Sequence, residues 1–409
     1  MNWHTRLKAG AIVALTTLSI AVAAQERPRI GAPPALAAPP SLAAPRAVAA
    51  PPSLGRPEPV VPGIDLFRLG DPSLLSPPGP VAVQLLRLDP RRVILRSALA
   101  MDRVIGLEKV ADTAARHRAI AAVNAGFFLP SGDPAGLLEI AHELISESPA
   151  PKGAVAMADT GKAMSLVFDR LSATLRLVVG EGPAATSVGL DGLNTARAAG
   201  KLVWFGPRFY DHTDTTDAGV EWVVRGTPSR LVERRDAAMR TRIPADGAIL
   251  SFGGAQPPPA LAGLAPGTRV ALQADLASDF GTPVQGLAGA QDIVGGAGLL
   301  VREGRAVKDW KVERLRAGFD TERHPRTIIG VDIRGQIWLI TVDGRNDTIS
   351  LGMNFAELQR LSLGLGLRDV LNLDGGGSTT MVVRGKIVNH PSDRAGPRKV
   401  SDSLLVFTR

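Results

Sequence analysis

A loop of three consecutive glycines between two apolar runs constrains the fold of this chain more than any other feature. It lies within Leu371–Val383, which reads LNLDGGGSTTMVV. Glycine has no Cβ, so a ligand can approach the backbone N–H groups of such a loop closely. The neighbouring carboxylate, amide and hydroxyl groups suit an oxygen-rich ligand such as a sugar or a phosphate. The residues that we predict to line this site are Asn372, Asp374, Gly375, Gly376, Gly377, Ser378 and Thr379.

The apolar run after the glycines predicts a strand, which argues against the nucleotide-binding loops that lead into a helix N-terminus. In the strand before the glycines, side chains alternate between faces, so Asn372 and Asp374 share one face at its end. A carboxylate there can act as an acid, as a base or as a group that orients a ligand. An ordinary glycine-rich turn is the alternative. Three glycines lose much backbone entropy on folding, and this favours a functional loop.

Composition indicates a soluble globular protein with a preference for anionic ligands. Of the 409 residues, 45% are hydrophobic and 21% are charged, and the net charge is +8. A positive field attracts anions. The basic residues are spread along the chain without a dense block interleaved with aromatics, so we predict no nucleic-acid partner. The chain has no cysteine, and its fold must therefore depend on its core without disulfides.

The first part of the chain predicts export. Residues 1–24 combine a positive start (Arg6, Lys8) with a short apolar stretch and small residues, which is typical of a signal peptide. Residues 25–62 are rich in Pro and Ala and predict a disordered linker. No later stretch has the roughly 20 apolar residues that a membrane span needs. We therefore expect a periplasmic or extracellular protein with no stable membrane span after signal cleavage.

The remaining chain predicts one large α+β domain from about Val81 to residue 409, a mixed, strand-rich sheet with a few packing helices. The runs Thr327–Ile333 and Gln336–Val342 flank Arg334-Gly335 and predict a hairpin. Asn354 precedes Glu357 by three residues, a capping-box spacing that predicts a helix start. Apolar positions within Gly106–Arg118 recur at helical spacing.

Further candidate site residues lie at the ends of predicted strands. Asp343 and Arg345 follow one strand, and a guanidinium can bind a phosphate through two parallel hydrogen bonds. His324 and Arg326 enter another strand, where they could serve in proton transfer and phosphate binding. A purely structural role is the alternative for most of these positions. Asp343-Gly344, for example, also fits a routine turn. The remaining candidates are Asn124, Gly126 and Asn389.

Motifs for common cofactors are missing from the sequence, which has no GxSxG, no HExxH and no Cys/His zinc spacing. We therefore predict no cofactor and assign no metal ligand. A divalent cation such as Ca²⁺ or Mg²⁺ bound through carboxylate oxygens stays open. The oligomeric state also stays open.

Several segments in this order carry a family resemblance. They are VNAGFF (Val123–Phe128), LNTAR (Leu193–Arg197), VGGAGLLVREG (Val294–Gly304), HPRTIIG (His324–Gly330), TVDGR (Thr341–Arg345) and NLDGGGSTTMVVRGKIVNHPSD (Asn372–Asp393). Together they resemble the phosphodiester glycosidase family, most strongly after Pro325. The resemblance implies a hydrolase that cleaves a sugar–phosphate glycosidic bond and releases a sugar and a phosphomonoester. Two positions depart from the family pattern, Ala297-Gly298 and Asp402.

The resemblance also implies roles for the candidate residues. Asp374 and Asp343 would be acid, base or nucleophile, since glycoside cleavage commonly uses paired carboxylates. Arg326 and Arg345 would hold the phosphate. The sugar hydroxyls would be bound by Asn124, Asn372, Ser378 and Thr379.

Two other functions compete with this interpretation. One is an envelope protein that binds an anionic glycan without cleaving it. The other is a phosphatase or phosphodiesterase that breaks the P–O bond instead of the C–O bond. The sequence leaves the sugar and its aglycone undetermined.

Overall fold

The structure, a computed structural model, describes residues 53–282, 287 and 289–409. All of these residues belong to one compact unit. The predicted signal peptide (1–24) and the predicted linker as far as residue 52 lie outside the described residues.

Strands dominate the described residues, which makes the fold more sheet-rich than the predicted α+β class. In chain order the strands are β1 (Glu58–Val61), β2 (Ile64–Leu69), β3 (Val83–Leu88), β4 (Val93–Leu99), β5 (Glu108–Lys109), β6 (Ala121–Asn124), β7 (Leu138–Ile140), β8 (Glu143–Ser146), β9 (Lys152–Asp159), β10 (Met164–Val179), β11 (Thr186–Gly189), β12 (Gly192–Leu193), β13 (Leu202–Phe205) and β14 (Gly219–Arg225). They continue as β15 (Arg230–Ala238), β16 (Gly247–Phe252), β17 (Val270–Ser278), β18 (Asp292–Gly295), β19 (Leu299–Arg302), β20 (Arg305–Ala306), β21 (Arg326–Asp332), β22 (Ile337–Val342), β23 (Leu367–Asn372), β24 (Met381–Val383), β25 (Lys386–Ile387), β26 (Lys399–Val400) and β27 (Asp402–Thr408).

Three α-helices lie within the described residues: α1 (Val110–His117), α2 (Pro259–Ala262) and α3 (Phe355–Gly364). The predicted capping box of α3 is confirmed. The Asn354 side chain accepts a hydrogen bond from the Glu357 N–H at 2.9 Å, and the Glu357 carboxylate accepts one from the Asn354 N–H at 3.1 Å. These bonds satisfy two N–H groups that the first turn of a helix leaves without partners.

Four of the sheets build the molecule, and the largest has eight strands in the order β1-β2-β3-β22-β21-β23-β19-β20. A sheet of seven strands combines the order β11-β10-β9-β18-β7-β8 with β17, which pairs with β10. Two five-stranded sheets have the orders β12-β13-β16-β14-β15 and β25-β24-β6-β27-β4. The predicted hairpin is confirmed, since β21 and β22 pair antiparallel from Arg326↔Val342 to Val331↔Ile337.

The eight-stranded sheet is buried on both faces, and its strands show why. In β21, Ile328 and Ile329 are both buried but belong to different hydrophobic clusters. Because side chains alternate across a strand, the two point to opposite faces of the sheet. Ile328 packs with Phe355 and Leu358 of α3. Ile329 packs with residues of the neighbouring sheets, such as Leu404 of β27. Continuous apolar runs in the C-terminal third of the sequence therefore form its central layer.

The ordered fold begins before the predicted start at Val81, and this corrects the sequence-based boundary. Glu58–Val61, inside the predicted linker, is strand β1, and β2 pairs antiparallel with β3 along its whole length. Ile64 and Leu66 of β2 are buried in the main core. The Pro-rich composition around residue 60 hides the apolar alternation that places these strands at the sheet edge, where Pro is tolerated.

Candidate active site

The glycine loop joins two different sheets. Strand β23 belongs to the eight-stranded sheet, and β24 pairs with β6 in a five-stranded sheet. Between them, Asp374 and Gly375 are followed by a 3-10 turn at Gly376–Ser378. The loop therefore lies where two sheets meet, which makes it a rigid place for a functional side chain.

A close backbone neighbour requires glycine at 375, the backbone conformation favours it at 376, and glycine at 377 leaves room for two charged side chains. A Cβ on Gly375 would lie 2.5 Å from the Pro325 carbonyl oxygen. Gly376 has φ +58, and a Cβ there would lie 2.9 Å from Nη2 of Arg345. A Cβ on Gly377 would collide with the side chains of Asp393 and Arg398. The glycines thus bring two guanidinium groups onto the loop, which an ordinary turn does not need.

Asn124 anchors the loop from below. It is fully buried, and its Nδ2 donates to the Asp374 carbonyl oxygen at 2.7 Å. Its Oδ1 accepts from the Thr327 hydroxyl at 2.8 Å and from the Thr380 N–H at 3.1 Å. These bonds use both ends of the amide, so the structure gives Asn124 a positioning role in place of the predicted sugar contact.

A cavity of about 220 Å³ opens in front of the loop. Its lining combines one carboxylate, four arginines and a histidine with two aromatic rings. The residues are Phe127, Arg316, Phe319, His324, Pro325, Arg326, Arg345, Asp374, Gly375, Gly376 and Arg398. Such a cavity suits a small anionic ligand that carries oxygen atoms.

Asp374 is the carboxylate of this cavity. Burial in the surrounding protein raises its pKa to about 6, and the nearby Asp402 acts in the same direction. Ser378, the Gly375 N–H and Arg398 favour the charged form and limit the rise. The Gly375 N–H donates to the carboxylate at 2.9 Å. A group with a pKa near 6 can exchange protons at neutral pH, which an ordinary aspartate does poorly.

Two of the arginines are placed to bind an anion. Arg345 is exposed, has φ +61 and forms no ion pair with any described residue. Arg398 pairs with Asp393, with Nε and Oδ2 2.8 Å apart, and still lines the cavity. Both lie over the glycines, so an anion in front of the loop would meet two guanidinium groups.

Arg326 lines the cavity but is held by the protein. It is 2% exposed, and it donates to the carbonyl oxygens of Met353 at 3.0 Å and Phe319 at 2.7 Å. Its guanidinium carbon lies 5.0 Å from the ring centroids of Phe319 and Phe355. Burial lowers its pKa to about 10, with Arg345 adding to the effect. Arg326 therefore fixes the wall of the cavity more than it reaches into it.

Asp343 does not line the cavity. It is 2% exposed, and its oxygens accept from Gln84 Nε2 at 3.0 Å, Asn389 Nδ2 at 3.1 Å and the His390 N–H at 2.8 Å. Burial raises the pKa of this carboxyl despite those bonds. Asp343 and the predicted contact Asn389 thus form one buried network behind the loop.

The other predicted residues divide between cavity and core. His324 lines the cavity, and its Nε2 lies 3.1 Å from Glu322 Oε2. Asn372 is fully buried and donates to the carbonyl oxygens of Ala297 and Leu373 at 2.8 and 2.9 Å. Ser378 and Thr379 are also buried beneath the loop.

Asp402 is a site residue that the sequence did not single out as catalytic. It is 1% exposed, accepts from the Gly126 N–H at 3.1 Å and from the Ser401 hydroxyl at 2.8 Å, and lies in the wall of a small neighbouring cavity. Burial raises its pKa to about 6. The Asp374 N–H donates to the Ala125 carbonyl oxygen at 2.9 Å, so the adjacent residues Ala125 and Gly126 hold the Asp374 backbone and the Asp402 carboxylate. The sequence signal that could have identified Asp402 is its place as a carboxylate at the start of an apolar strand.

Arg398 and Arg316 were also missed, because each lies in a polar loop with no motif of its own. A search of the described residues finds no group of three or more His, Asp or Glu side chains arranged to hold a metal ion. The predicted absence of a cofactor stays a prediction. In the same part of the chain, no helix is long and apolar enough to cross a membrane.

Two solved structures share this fold. A hypothetical protein from Synechocystis superposes with a TM-score of 0.71 at 25% identity, over 85% of this chain and 62% of that one. A candidate exported protein of Burkholderia pseudomallei superposes with a TM-score of 0.67 at 24% identity, over 81% of this chain and 74% of that one. The strand-dominated architecture is therefore shared with proteins of these two organisms.

Sequence comparison bears on the family. The N-acetylglucosamine-1-phosphodiester alpha-N-acetylglucosaminidase of Bos taurus is 37% identical over 87 residues, which are 20% of this chain and 16% of the bovine protein. The chain thus matches less than a fifth of the length of that relative. A family model described as phosphodiester glycosidase matches residues 218–407, a span that contains Asp374, Arg345 and Arg398. Residues 218–407, a little under half of this chain, are therefore similar to the phosphodiester glycosidase family.

Proposed function

We propose that this protein hydrolyses the bond between a sugar and the phosphate of a glycosyl phosphodiester, releasing the free sugar and a phosphomonoester. The observation that carries the proposal is Asp374, whose pKa is raised to about 6 beside Arg345 and Arg398 in a cavity of about 220 Å³. The match of residues 218–407 to the phosphodiester glycosidase family model and the names of the relatives support the same bond type. Those comparisons do not identify the substrate, because the match to the curated relatives is short.

The chemistry of the leaving group argues for a base at Asp374. A phosphodiester oxygen carries its charge without a proton, so cationic groups are enough to stabilise its departure. Arg345 and Arg398 supply that charge. The attacking water does need to lose a proton, and a carboxylate with a pKa near 6 is mostly ionised at pH 7.

The bonds balance in one hydrolytic event. The oxygen of water bonds to the anomeric carbon, and the bond between that carbon and the phosphate oxygen breaks. The electron pair of the broken bond stays on the phosphate, and Asp374 takes the proton from water before passing it to solvent or product. In this scheme Asp343 is a positioning residue, because its carboxylate is occupied by three hydrogen bonds behind the loop.

Replacing Asp374 with Asn tests this assignment. We expect Asp374→Asn to lose at least about a hundredfold in kcat, since general bases contribute on that order, with an unchanged unfolding midpoint. The matched control is Asp347→Asn, an exposed aspartate close in sequence to Arg345. Released sugar would be measured on a panel of sugar 1-phosphodiesters. Equal activity in a folded Asp374→Asn variant would refute the role of this carboxylate.

Isotope-labelled water separates the competing reactions. In H₂¹⁸O, label in the released sugar means C–O cleavage, and label in the phosphate means P–O cleavage by a phosphodiesterase. Saturable binding of the panel without any product would indicate an anionic-glycan-binding protein.

We further propose that the protein is exported and acts on an envelope or extracellular glycan. The basis is the signal-like sequence of residues 1–24 and the likeness to a candidate exported protein. Detection of the protein in the cytoplasmic fraction alone, after cell fractionation, would contradict this location.

A further inference from the structure

A second cavity adjoins the candidate active site. Its volume is about 270 Å³, and Lys152, Arg314 and Arg316 supply its charged side chains. We call it the basic cavity. Phe127, Arg316 and Phe319 line both this cavity and the one that holds Asp374. The two cavities are therefore neighbours that share a wall.

The lining of the basic cavity holds three cations and no carboxylate. Arg314 forms no ion pair with any residue that the structure describes, and Arg316 pairs only with the exposed Glu322 at 3.2 Å. Exposed pairs of this kind contribute little. The positive charge of the cavity is thus left largely uncompensated by the protein.

The nearest carboxylate, Glu313, is directed away into the core. It is fully buried and accepts from the Gly298 N–H at 2.7 Å, the Gly153 N–H at 3.1 Å and Arg170 Nε at 2.9 Å. Its charge is therefore compensated by groups outside the cavity, and Lys152 reaches only the Glu313 carbonyl oxygen.

The ammonium group of Lys152 is disfavoured in its present surroundings. Burial lowers its pKa, and the neighbouring Arg314 acts in the same direction against the opposing effect of Glu313. An anion bound beside Lys152 would favour its charged form.

The wall shared by the two cavities contains two aromatic rings, along which an extended ligand could run from one cavity to the other. The ring centroids of Phe127 and Phe319 lie 6.0 Å apart, with 59° between the ring planes. A ligand that extends along this pair has one end near Asp374 and the other end at Lys152 and Arg314.

We propose that the basic cavity binds a second anionic group of the same substrate, so that the preferred substrate is a glycosyl phosphodiester carrying another phosphate or carboxylate. This inference rests on the proposed function for the bond that is cleaved. It adds the substrate class: a doubly anionic molecule that spans both cavities.

Paired substrates test the proposal. One pair compares a sugar 1-phosphodiester of glycerol with that of glycerol 3-phosphate, and another pair compares a glucose with a glucuronic acid 1-phosphodiester of glycerol. We expect the parent protein to prefer one doubly anionic member by about tenfold or more in kcat/KM, which corresponds to one charge-assisted hydrogen bond. The pair that shows the preference identifies a phosphate on the aglycone or a carboxylate on the sugar.

The double variant Lys152→Gln with Arg314→Gln should abolish the preference, mainly through KM. Gln removes the charge and keeps a polar, unbranched side chain, although it is shorter than Lys and Arg. Arg334→Ala, an exposed arginine in the turn between β21 and β22, is the matched control and should keep the preference. Equal kcat/KM within both pairs, or a preference that survives in the double variant, would overturn the proposal.

A binding measurement keeps this test separate from the proposed function. Inorganic pyrophosphate would be titrated calorimetrically into the parent, the double variant and Arg334→Ala. If no substrate is cleaved, the proposed function fails. Weaker pyrophosphate binding by the double variant alone would still support an anion site in the basic cavity, and equal binding by all three proteins would exclude it.

Discussion

At the scale of single residues, the site is defined by what surrounds each carboxylate. Asp374 faces a cavity, Asp343 is enclosed by hydrogen-bond donors, and Asp402 is buried on a neighbouring strand. Three aspartates of identical chemistry therefore have different roles. Burial raises the pKa of all three, so geometry and not acidity separates the aspartate that lines the cavity from the two that do not.

The raised pKa of Asp374 and its interaction with Asp402 predict how kcat/KM depends on pH. A base with a pKa near 6 is inactive when protonated, so kcat/KM should rise with pH through about 6 and then level off. The negative charge of Asp402 raises the pKa of Asp374, as a smaller effect than burial. Asp402→Asn removes that charge, and the acid limb of the kcat/KM profile should move to lower pH.

The profile of Asp347→Asn serves as the reference, since that aspartate is exposed. An Asp402→Asn variant with an unmoved acid limb would show that the two carboxylates are not electrostatically coupled. A shift to higher pH would contradict the sign of the interaction.

At the scale of elements, helix α3 holds one wall of the site. Its capping box begins directly after Met353, whose carbonyl oxygen accepts from Arg326. Phe355, the first residue of α3, packs edge-on against Phe319 at a centroid distance of 5.5 Å. The start of this helix therefore fixes both the buried arginine and the aromatic wall.

Removal of the cap tests this link. Asn354→Ala should lower the free energy of unfolding by about 1 kcal/mol, because it leaves the Glu357 N–H without its partner. The measurement is the urea unfolding midpoint, with Arg360→Ala on the exposed face of the same helix as the control. An unchanged midpoint would mean that water replaces the cap without loss.

The elements that the sequence predicted best are those with local signals. The β21–β22 hairpin and the start of α3 follow from a turn and a capping box within a few residues. Strand β10 is less evident from the sequence, in which Ser165–Phe168 and Thr174–Val179 have the pattern of two separate strands. The polar pair between them concealed one strand, because Asp169 is buried against the Ser278 hydroxyl at 2.7 Å.

The site could be predicted only in part, because only some of its residues have a local signal in the sequence. Glycines mark the loop, so Asp374 could be found from the sequence. The network of Asp343 could not, because its partner Gln84 lies 259 residues away in the chain. Arg316 and Arg398 lie in loops that the sequence gives no reason to place at the cavity. Long-range contacts, which sequence patterns do not report, decide which carboxylate faces the cavity.

At the scale of the whole molecule, the first two strands complete the edge of the eight-stranded sheet. Strand β2 covers β3, and Ile64, Leu66, Phe67 and Leu69 are buried there. A chain that starts at Val81 would lack these contacts and expose the edge of β3 to other chains.

We expect a chain that starts at Val81 to be less stable by several kcal/mol than one that starts at Ser53, since each buried apolar side chain contributes about 1.5–3 kcal/mol. It should also aggregate more readily. Urea unfolding and light scattering of the two chains would measure both effects. Matching stability would show that β1 and β2 are dispensable and would return the domain boundary to Val81.

Strand β27 has a consequence for when the site forms. It lies between β4 and β6, and its first residue, Asp402, bonds to Gly126 across 276 residues of chain. Contacts of such long sequence separation form slowly, because a large loop must close before they contribute. During synthesis, the sheet beneath Asp374 stays open until β27 has left the ribosome and paired with β4 and β6. The cavity in front of the glycine loop is therefore completed late in folding, and a chain whose β27 is unpaired carries the loop without the sheet that supports it.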